Sequence, residues 1–490
     1  MSASARLLAV LWGLAPSQAP AQAATPTSAP VSTPTRAAAP THASTSTTPA
    51  PASSPKPWRL DAALGAPRWL HLGLEHRSRL EHLTDDFRAA DRATASAWML
   101  RTLAKVELTP AFFVASVELQ DSRVLATETT TLNTGAVNAL ELLRASIGVR
   151  REGLFMPGDV ASVTLGRQTI DLGSRRLVAR NDFRNTINGF TGVSAEWVGP
   201  AGQGLRAFGV VPVRRLPTDA AALRANLPVF DLEDPNALLW GLAGTAALAG
   251  VGAQLEGYAL GFHEADAPGA PTANRSLVTP GFRFLRRSAG PGFDAEVEGM
   301  LQVGRSRWTK ADTDQRTLDH LAVSFHASLG YRLAAPWSPR LRASYDYASG
   351  DTDPGDGLNT RFDPLFGARR FEFGPTGLYG ALSRSNLSSP ELRLEVTPHR
   401  QVDAMLAVRV AWLASARDAW VAGGLQDPTG AAGVDLGEQL EGRVRWQIVP
   451  QSLSLELGAA SLTRGTFAVT APGGRRHPSL HVYTQLTGRI

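Results

Sequence analysis

Residues 293–303 read FDAEVEGMLQV. Phe293, Ala295, Val297, Gly299, Leu301 and Val303 share one parity, while Asp294, Glu296, Glu298 and Gln302 share the other. Side chains of an extended chain alternate between two faces, so the stretch predicts a β-strand with one apolar and one charged face. Residues 321–331 repeat the pattern: Leu321, Val323, Phe325, Ala327, Leu329 and Tyr331 oppose Ser324, His326 and Ser328. Toward the N-terminus, Leu70, Leu72, Leu74 and Leu80 oppose His71, Glu75, Arg77, Arg79 and Glu81. Trp98, Leu100, Ala104, Val106 and Leu108 then oppose Arg101, Lys105 and Glu107, and Phe113, Ala115, Val117 and Leu119 oppose Ser116, Glu118 and Gln120. At the far end Leu480, Val482, Leu486 and Ile490 oppose His481, Tyr483, Gln485, Thr487 and Arg489.

A water-soluble sandwich also alternates, so connection lengths have to choose the solvent on the apolar side. Counting from near Trp69, the pattern segments into about 18 strands whose links alternate between short and long, the mark of an outer-membrane barrel with periplasmic turns and extracellular loops. The short links fall at 108–111, 198–204, 286–292, 397–400 and 448–451, and the long ones at 82–97, 121–138, 214–236, 350–387 and 416–434. Trp69, Trp197, Trp337 and Trp446 fall at the short-turn ends and Trp98, Trp240 and Trp412 at the long-loop ends, which predicts two interfacial aromatic girdles. The one long uncharged stretch, Ala237 to Leu255, reads as a strand over 237–245, a small-residue turn, and a strand from Val251 rather than a membrane helix. The expected fold is all-β: a single transmembrane antiparallel β-barrel with long extracellular loops.

Composition agrees. Charged residues make up 19% of the chain, below the roughly 25% of soluble domains, and 46 Gly, 33 Pro and 11 Trp favour strands and turns over helix bundles. No cysteine is present, which excludes disulfide scaffolds, thiolate metal sites and cysteine nucleophiles. The formal charge of +5 comes from arginines spread along the chain rather than from a basic stripe or tail, so nucleic acid is not an expected partner. Ahead of the barrel, Arg6, the apolar run Leu7–Leu14 and Ala21-Gln22-Ala23 read as a signal peptide over residues 1–23. Residues 24–57, of which 30 of 34 are Pro, Ala, Ser or Thr, read as a disordered tether, leaving 58–490 for the barrel.

Several motifs carry a family resemblance: Gly166-Arg167-Gln168, Gly173-Ser174-Arg175-Arg176 and Asp182-Phe183-Arg184-Asn185, with Gln120-Asp121-Ser122-Arg123 before them. Ala348-Ser349-Gly350-Asp351 and Phe362-Asp363-Pro364-Leu365-Phe366-Gly367 follow. In order and spacing, from about Trp69 to Ile490, the chain resembles the alginate export family of outer-membrane channels. The resemblance implies an 18-stranded barrel of the Gram-negative outer membrane with loops folded over or into the lumen. It also implies an arginine-rich constriction that passes an anionic polysaccharide, with outer-membrane lipid and the barrel assembly machinery as partners. The chain departs from the family in ending on Ile490 instead of Phe or Trp and in carrying the Pro/Ala/Thr tether.

Strand parity then assigns the lumen. Closing the barrel brings Arg443, Arg445, Arg489, Arg77, Arg79, Arg101 and Lys105 onto one wall with Glu441, Glu456, Glu75, Glu81 and Glu107, a net positive surface; Arg144 also faces inward. The opposite wall holds Glu256, Asp294, Glu296 and Glu298 against Arg283 and is net negative, so the expectation is a transverse field that orders charged or hydroxylated solutes. Arg167, Arg175, Arg176, Arg180 and Arg184 are placed to project into the lumen from the third long loop. The plainer alternative is that these charges pair between neighbouring strands to stabilise a wide lumen.

Asp351, Asp353 and Asp356 in a Gly-rich loop have calcium-like spacing, with Asx turns the alternative, and no other cofactor is expected. No enzymatic activity is expected: the one Ser–His pair on the lipid-facing parity, His76 and Ser78, lacks an identifiable orienting residue or oxyanion donor. The function read from the sequence is passage of an anionic polysaccharide or related carbohydrate solute. A general or small-solute porin is the alternative, and an outer-membrane lipase or a plugged surface adhesin are lesser ones.

Overall fold

The computed structural model describes residues 56–88, 94–125, 132–267, 269–311 and 313–490. The signal-peptide segment and all but the last two residues of the tether lie outside the described residues. Among the described residues, 20 strands share one sheet, and two of them, Leu232–Glu233 and Leu358–Asn359, are short pieces outside the main wall. The remaining 18 are β1 (Leu70–Thr84), β2 (Ala95–Leu108), β3 (Phe113–Leu125), β4 (Asn138–Glu152), β5 (Val160–Gln168) and β6 (Phe190–Val198). They continue as β7 (Gly204–Arg214), β8 (Ala237–Leu248), β9 (Ala253–Glu264), β10 (Ser276–Arg286), β11 (Gly292–Arg307) and β12 (Thr317–Arg332). The last six are β13 (Arg340–Ala348), β14 (Leu387–His399), β15 (Val402–Trp412), β16 (Asp435–Val449), β17 (Leu453–Arg464) and β18 (Ser479–Arg489).

Each strand pairs antiparallel with its neighbours in sequence, and β1 also pairs with β18 from Glu75↔Arg489 to Thr84↔Leu480, so the sheet closes on itself. Leu74 and Ile490 exchange both backbone hydrogen bonds at 3.0 Å, which carries the seam to the last residue. Closure removes every free edge, the condition for a sheet to cross lipid. The uncharged stretch from Ala237 folds as two strands, β8 and β9, around a single turn at Ala249–Val251, but β8 runs three residues further than its predicted end and β9 begins at Ala253 instead of Val251. No described helix is long and apolar enough to cross a membrane.

The outer face follows the parity of the sequence. Leu80, Val163, Leu165, Leu205, Phe282, Leu329, Leu341 and Leu457 are all exposed, while their sequence neighbours turn inward. Trp69, Trp337 and Trp446 are exposed at the periplasmic ends and Trp98 and Trp240 at the extracellular ends; Trp197 and Trp412 complete the two girdles half-buried.

Two long loops enter the barrel: L3 (169–189), between β5 and β6, and L7 (349–386), between β13 and β14. Ile170, Leu177 and Val178 of L3 join Phe190, Phe208, Val210, Leu239, Leu260 and Phe262 from the strands in one buried apolar cluster. Leu378, Tyr379, Ala381 and Leu382 of L7 pack with Leu83, Phe87, Ala97, Met99 and Val124 in another. Inward apolar residues at the extracellular ends of these strands therefore have a partner to bury against, which explains why the lumen is not polar throughout.

L3 and L7 are joined by backbone. The Phe366 and Ala368 N–H groups donate to the Leu177 and Arg175 carbonyls at 2.9 Å, and Val178 and Phe366 form a parallel bridge. Phe366 seats edge-on against Phe190 and Phe262, both at 5.4 Å between centroids. A Cβ at position 367 would collide with the Arg176 carbonyl, a backbone atom that cannot rotate away. Gly367→Ala is therefore expected to separate the two loops while leaving the barrel closed. Limited proteolysis of the folded protein should then cleave L7 faster than in the parent, with unchanged heat-modifiable mobility; an unchanged cleavage rate would show that the junction tolerates the methyl group.

Candidate functional site

The lumen charges of the periplasmic half are interleaved as ion pairs. Arg445 meets Glu456 at 2.6 Å, Arg443 meets Asp403 at 3.0 Å and Lys105 meets Glu107 at 2.7 Å. Glu75 takes Arg101 at 2.8 Å and Arg489 at 2.7 Å, while Arg340 bridges Asp294 and Glu395. Arg144 reaches Glu118 at 3.8 Å and donates to Thr169 Oγ1 of L3. Apart from Lys105 and Glu107, which share β2, these pairs run between strands, and each balances charge within the wall.

Higher in the barrel the strand arginines hold L3. The Arg77 guanidinium donates to the Asp182 and Arg184 carbonyls at 2.7 Å, Arg79 donates to the Phe183 carbonyl at 2.6 Å, and Arg101 donates to the Asp182 carbonyl at 2.8 Å. The Asp-Phe-Arg-Asn motif is thus a backbone turn cradled by three fixed cations, and Arg79 also stacks on the Phe183 ring at 4.4 Å. The positive and negative walls expected from parity do not face each other across open water, because L3 and L7 stand between them. Arg167 lies elsewhere than expected: β5 alternation puts it on the outward parity with Val163 and Leu165. There it binds Glu141 at 2.6 Å and Glu233 at 2.8 Å.

On the other side, Arg176 of L3 fixes the loop to the acidic wall. It pairs with Glu296 at 2.6 Å, with Glu298, and with Glu372 of L7 at 2.9 Å. Arg283 balances Glu296 and Glu256, Tyr258 donates to Glu298 at 2.7 Å, and Arg384 pairs with Glu372 at 2.9 Å. Glu296 and Glu298 are accordingly anchors of L3, while Glu256 pairs with Arg283 and Asp294 with Arg340 on the strands.

Once these pairs are assigned, four arginines of L3, L4 (215–236, between β7 and β8) and L7 form no ion pair among the described residues: Arg175, Arg184, Arg215, which only feels the nearby Asp231 charge, and Arg369. All four are half-buried rather than sealed. Arg184 and Arg215 both donate to one atom, Asn188 Oδ1, at 2.5 and 2.9 Å, which holds two like charges side by side. Arg369 donates only to the Leu382 carbonyl, and Arg175 lies over the Phe371 ring at 3.8 Å. Burial, then the like charges of Arg215 and Arg369, hold the Arg184 guanidinium well below its ordinary range; burial, then Arg88 and Arg384, bring Arg369 down to about 10. The three neighbouring guanidiniums of Arg184, Arg215 and Arg369 offer fixed N–H donors and excess positive potential, the chemistry that attracts and briefly holds a carboxylate. The sequence reading singled out Arg175 and Arg184 and missed Arg215 and Arg369, although Arg369 stands two residues after the Phe-Asp-Pro-Leu-Phe-Gly motif.

The remaining candidates separate. Asp351 Oδ1 accepts from Thr360, Asp353 Oδ1 from the Gly355 N–H and Asp356 Oδ1 from the Leu358 N–H, so the three carboxylates cap three different turns. Among the described residues no three His, Cys, Asp or Glu side chains converge as a metal-holding group, the three aspartates of this loop included. His76 bonds Thr102 at 2.9 Å and Ser78 accepts from Trp98 Nε1 at 2.8 Å; neither bonds the other.

A closed 18-stranded antiparallel wall, an apolar outer belt between aromatic girdles and loops folded into the lumen define an outer-membrane β-barrel channel of the Gram-negative type. Its architecture is shared with solved outer-membrane proteins of Pseudomonas aeruginosa. OccK2 (OpdF) superposes with a TM-score of 0.55 at 12% identity over 86% of this chain and 97% of that one. OccK1 (OpdK) gives 0.54 at 12% over 86% and 98%, and OccD3 (OpdP) gives 0.53 at 13% over 86% and 91%. None of the curated proteins compared matches the sequence. The alginate export family model matches residues 68–480, and the chain belongs to that family.

Proposed function

We propose that the channel conducts an anionic, uronate-type polysaccharide, passing its carboxylates across the unpaired loop arginines Arg175, Arg184, Arg215 and Arg369. The observation that carries this reading is that these four residues form no ion pair among the described residues, in a lumen where most strand arginines do. On this reading Arg77, Arg79 and Arg101 serve the substrate indirectly by presenting L3. Lys105, Arg443, Arg445 and Arg489, still partly open to water toward the periplasmic mouth, guide the chain. A neighbouring fold, OccK2 (OpdF), has been solved in complex with glucuronate, and OpdK with vanillate, both carboxylates. Those ligands are small, which favours the second reading, a small-solute porin with the same anion preference.

Planar-bilayer recordings at low salt separate the readings. Arg184→Gln combined with Arg369→Gln should weaken block by oligouronates about tenfold, a loss of about 1.4 kcal/mol, and shift the reversal potential toward cations. High salt should erase most of the difference, because mobile ions screen what the arginines supply. Block that strengthens with oligouronate length supports the polysaccharide, and block equal for monomer and octamer supports the porin. Unchanged selectivity and block at low salt would remove these arginines from the mechanism.

A further inference from the structure

L4 carries a feature that conduction does not use. From Asn226 to Glu233 it crosses the extracellular ends of β3 to β7, fastened at each step. Asn226 bonds the Val124 backbone of β3, and the Asp231 carboxylate accepts from Asn138 of β4 at 2.8 Å. The Asp231 carbonyl accepts from Arg167 of β5, Glu233 accepts from Thr191 of β6 at 2.8 Å, and Leu232–Glu233 pairs with Arg214 and Val213 of β7. Between these fastenings the apolar side chains point away from the protein: Leu227 is 48% exposed, Val229 38%, Phe230 68% and Leu232 50%.

Three observations say what covers them. First, the strap adjoins the lipid-facing surface, since Leu125 and Leu140 beside it are exposed on β3 and β4. Second, the extracellular girdle has a gap: between Trp98 on β2 and Trp240 on β8, no outward residue at the extracellular ends of β3 to β7 is aromatic, and Phe230 is the one aromatic ring L4 brings there. Third, the outward parity in this sector carries Asp121, Arg123, Arg167 and Thr191 where a barrel normally presents apolar residues. The strap covers Arg167, leaving its side chain 11% exposed. Charge on the lipid face is unfavourable unless paired or covered.

We propose that residues 227–232 are a lipid-binding strap lying in the outer leaflet, with Leu227, Val229, Phe230 and Leu232 among the acyl chains, completing the apolar belt over β3 to β7. The chain has no cysteine, so one introduced thiol labels uniquely. Full-length Phe230→Cys and Leu232→Cys, each carrying a nitroxide, would be reconstituted in vesicles of phosphatidylcholine and phosphatidylglycerol and compared by collision with oxygen and with a water-soluble nickel chelate. Leu165→Cys on the lipid belt and Asp353→Cys on the exposed part of L7 set the two limits. The expected result is an oxygen-to-nickel accessibility ratio for the strap labels within about twofold of Leu165→Cys. A ratio matching Asp353→Cys overturns the proposal in favour of a water-exposed loop. Spin–spin broadening that disappears on dilution with unlabelled protein also overturns it, by showing that a second copy of the chain covers the strap.

Discussion

Val163→Arg loses about 2 to 4 kcal/mol of folding stability in a bilayer, whereas Thr164→Arg, one residue along, loses less than about 1 kcal/mol. The two positions share a backbone and differ in face. Val163 lies on the exposed outer parity of β5 near the middle of the strand, where a guanidinium must either enter hydrocarbon or drag water with it. Thr164 lies on the opposite, lumen-facing parity of β5 and is half-buried there, where a guanidinium need not enter hydrocarbon. Urea refolding into liposomes followed by heat-modifiable gel mobility measures both. Equal losses would mean that the outer face of β5 does not meet lipid.

Arg176→Ala should be the most damaging single change to the lumen. It leaves Glu296, Glu298 and Glu372 without their shared cation, and all three are largely buried. Breaking a buried ion pair by removing one partner costs about 3–5 kcal/mol, because the surviving charge stays desolvated. The barrel wall does not depend on this network, so the deficit falls on the loops: L3 and L7 should leave the lumen, and single-channel conductance should rise and become noisy. Adding Glu298→Gln to Arg176→Ala should quiet the noise, since Glu298 alone is left without a cation, while Glu296 keeps Arg283 and Glu372 keeps Arg384. Should Arg176→Ala keep the conductance and noise of the parent protein, the loops are held by their apolar contacts alone.

The wall of this protein was legible in its sequence because a period of two is a local signal. Asp294, Glu296 and Glu298 announce the inner face of β11 without reference to any other strand, and the strand at Ala237 was separable from a membrane helix by its small-residue turn. The interior was legible only in part. Arg176 and Glu296 are 120 positions apart, and nothing periodic in L3 or L7 says that each loop supplies the other with partners. Parity therefore counted the strand arginines as free when they were already committed to L3 carbonyls. Arg167 was expected to reach the lumen from the third long loop, although alternation from Val163 and Leu165 already placed it on the outer face of β5. Arg215 and Arg369 belong to aperiodic loop segments, and no local pattern in the sequence marks them.

The contact between L7 and Glu81 has a consequence for assembly. Glu81 belongs to β1 and His481 to β18, the two strands whose pairing closes the barrel; they bond each other at 3.0 Å, and the same carboxylate receives the Leu378 N–H of L7 at 2.6 Å. A Cβ at Gly377 would strike that carboxylate, so the loop fits only when Glu81 points inward. Sliding β1 past β18 by one residue would turn Glu81 to the lipid side and leave L7 without its acceptor. Docking of L7 therefore proofreads the seam: a mis-zipped barrel remains unplugged and open to proteases, and a correctly zipped one locks.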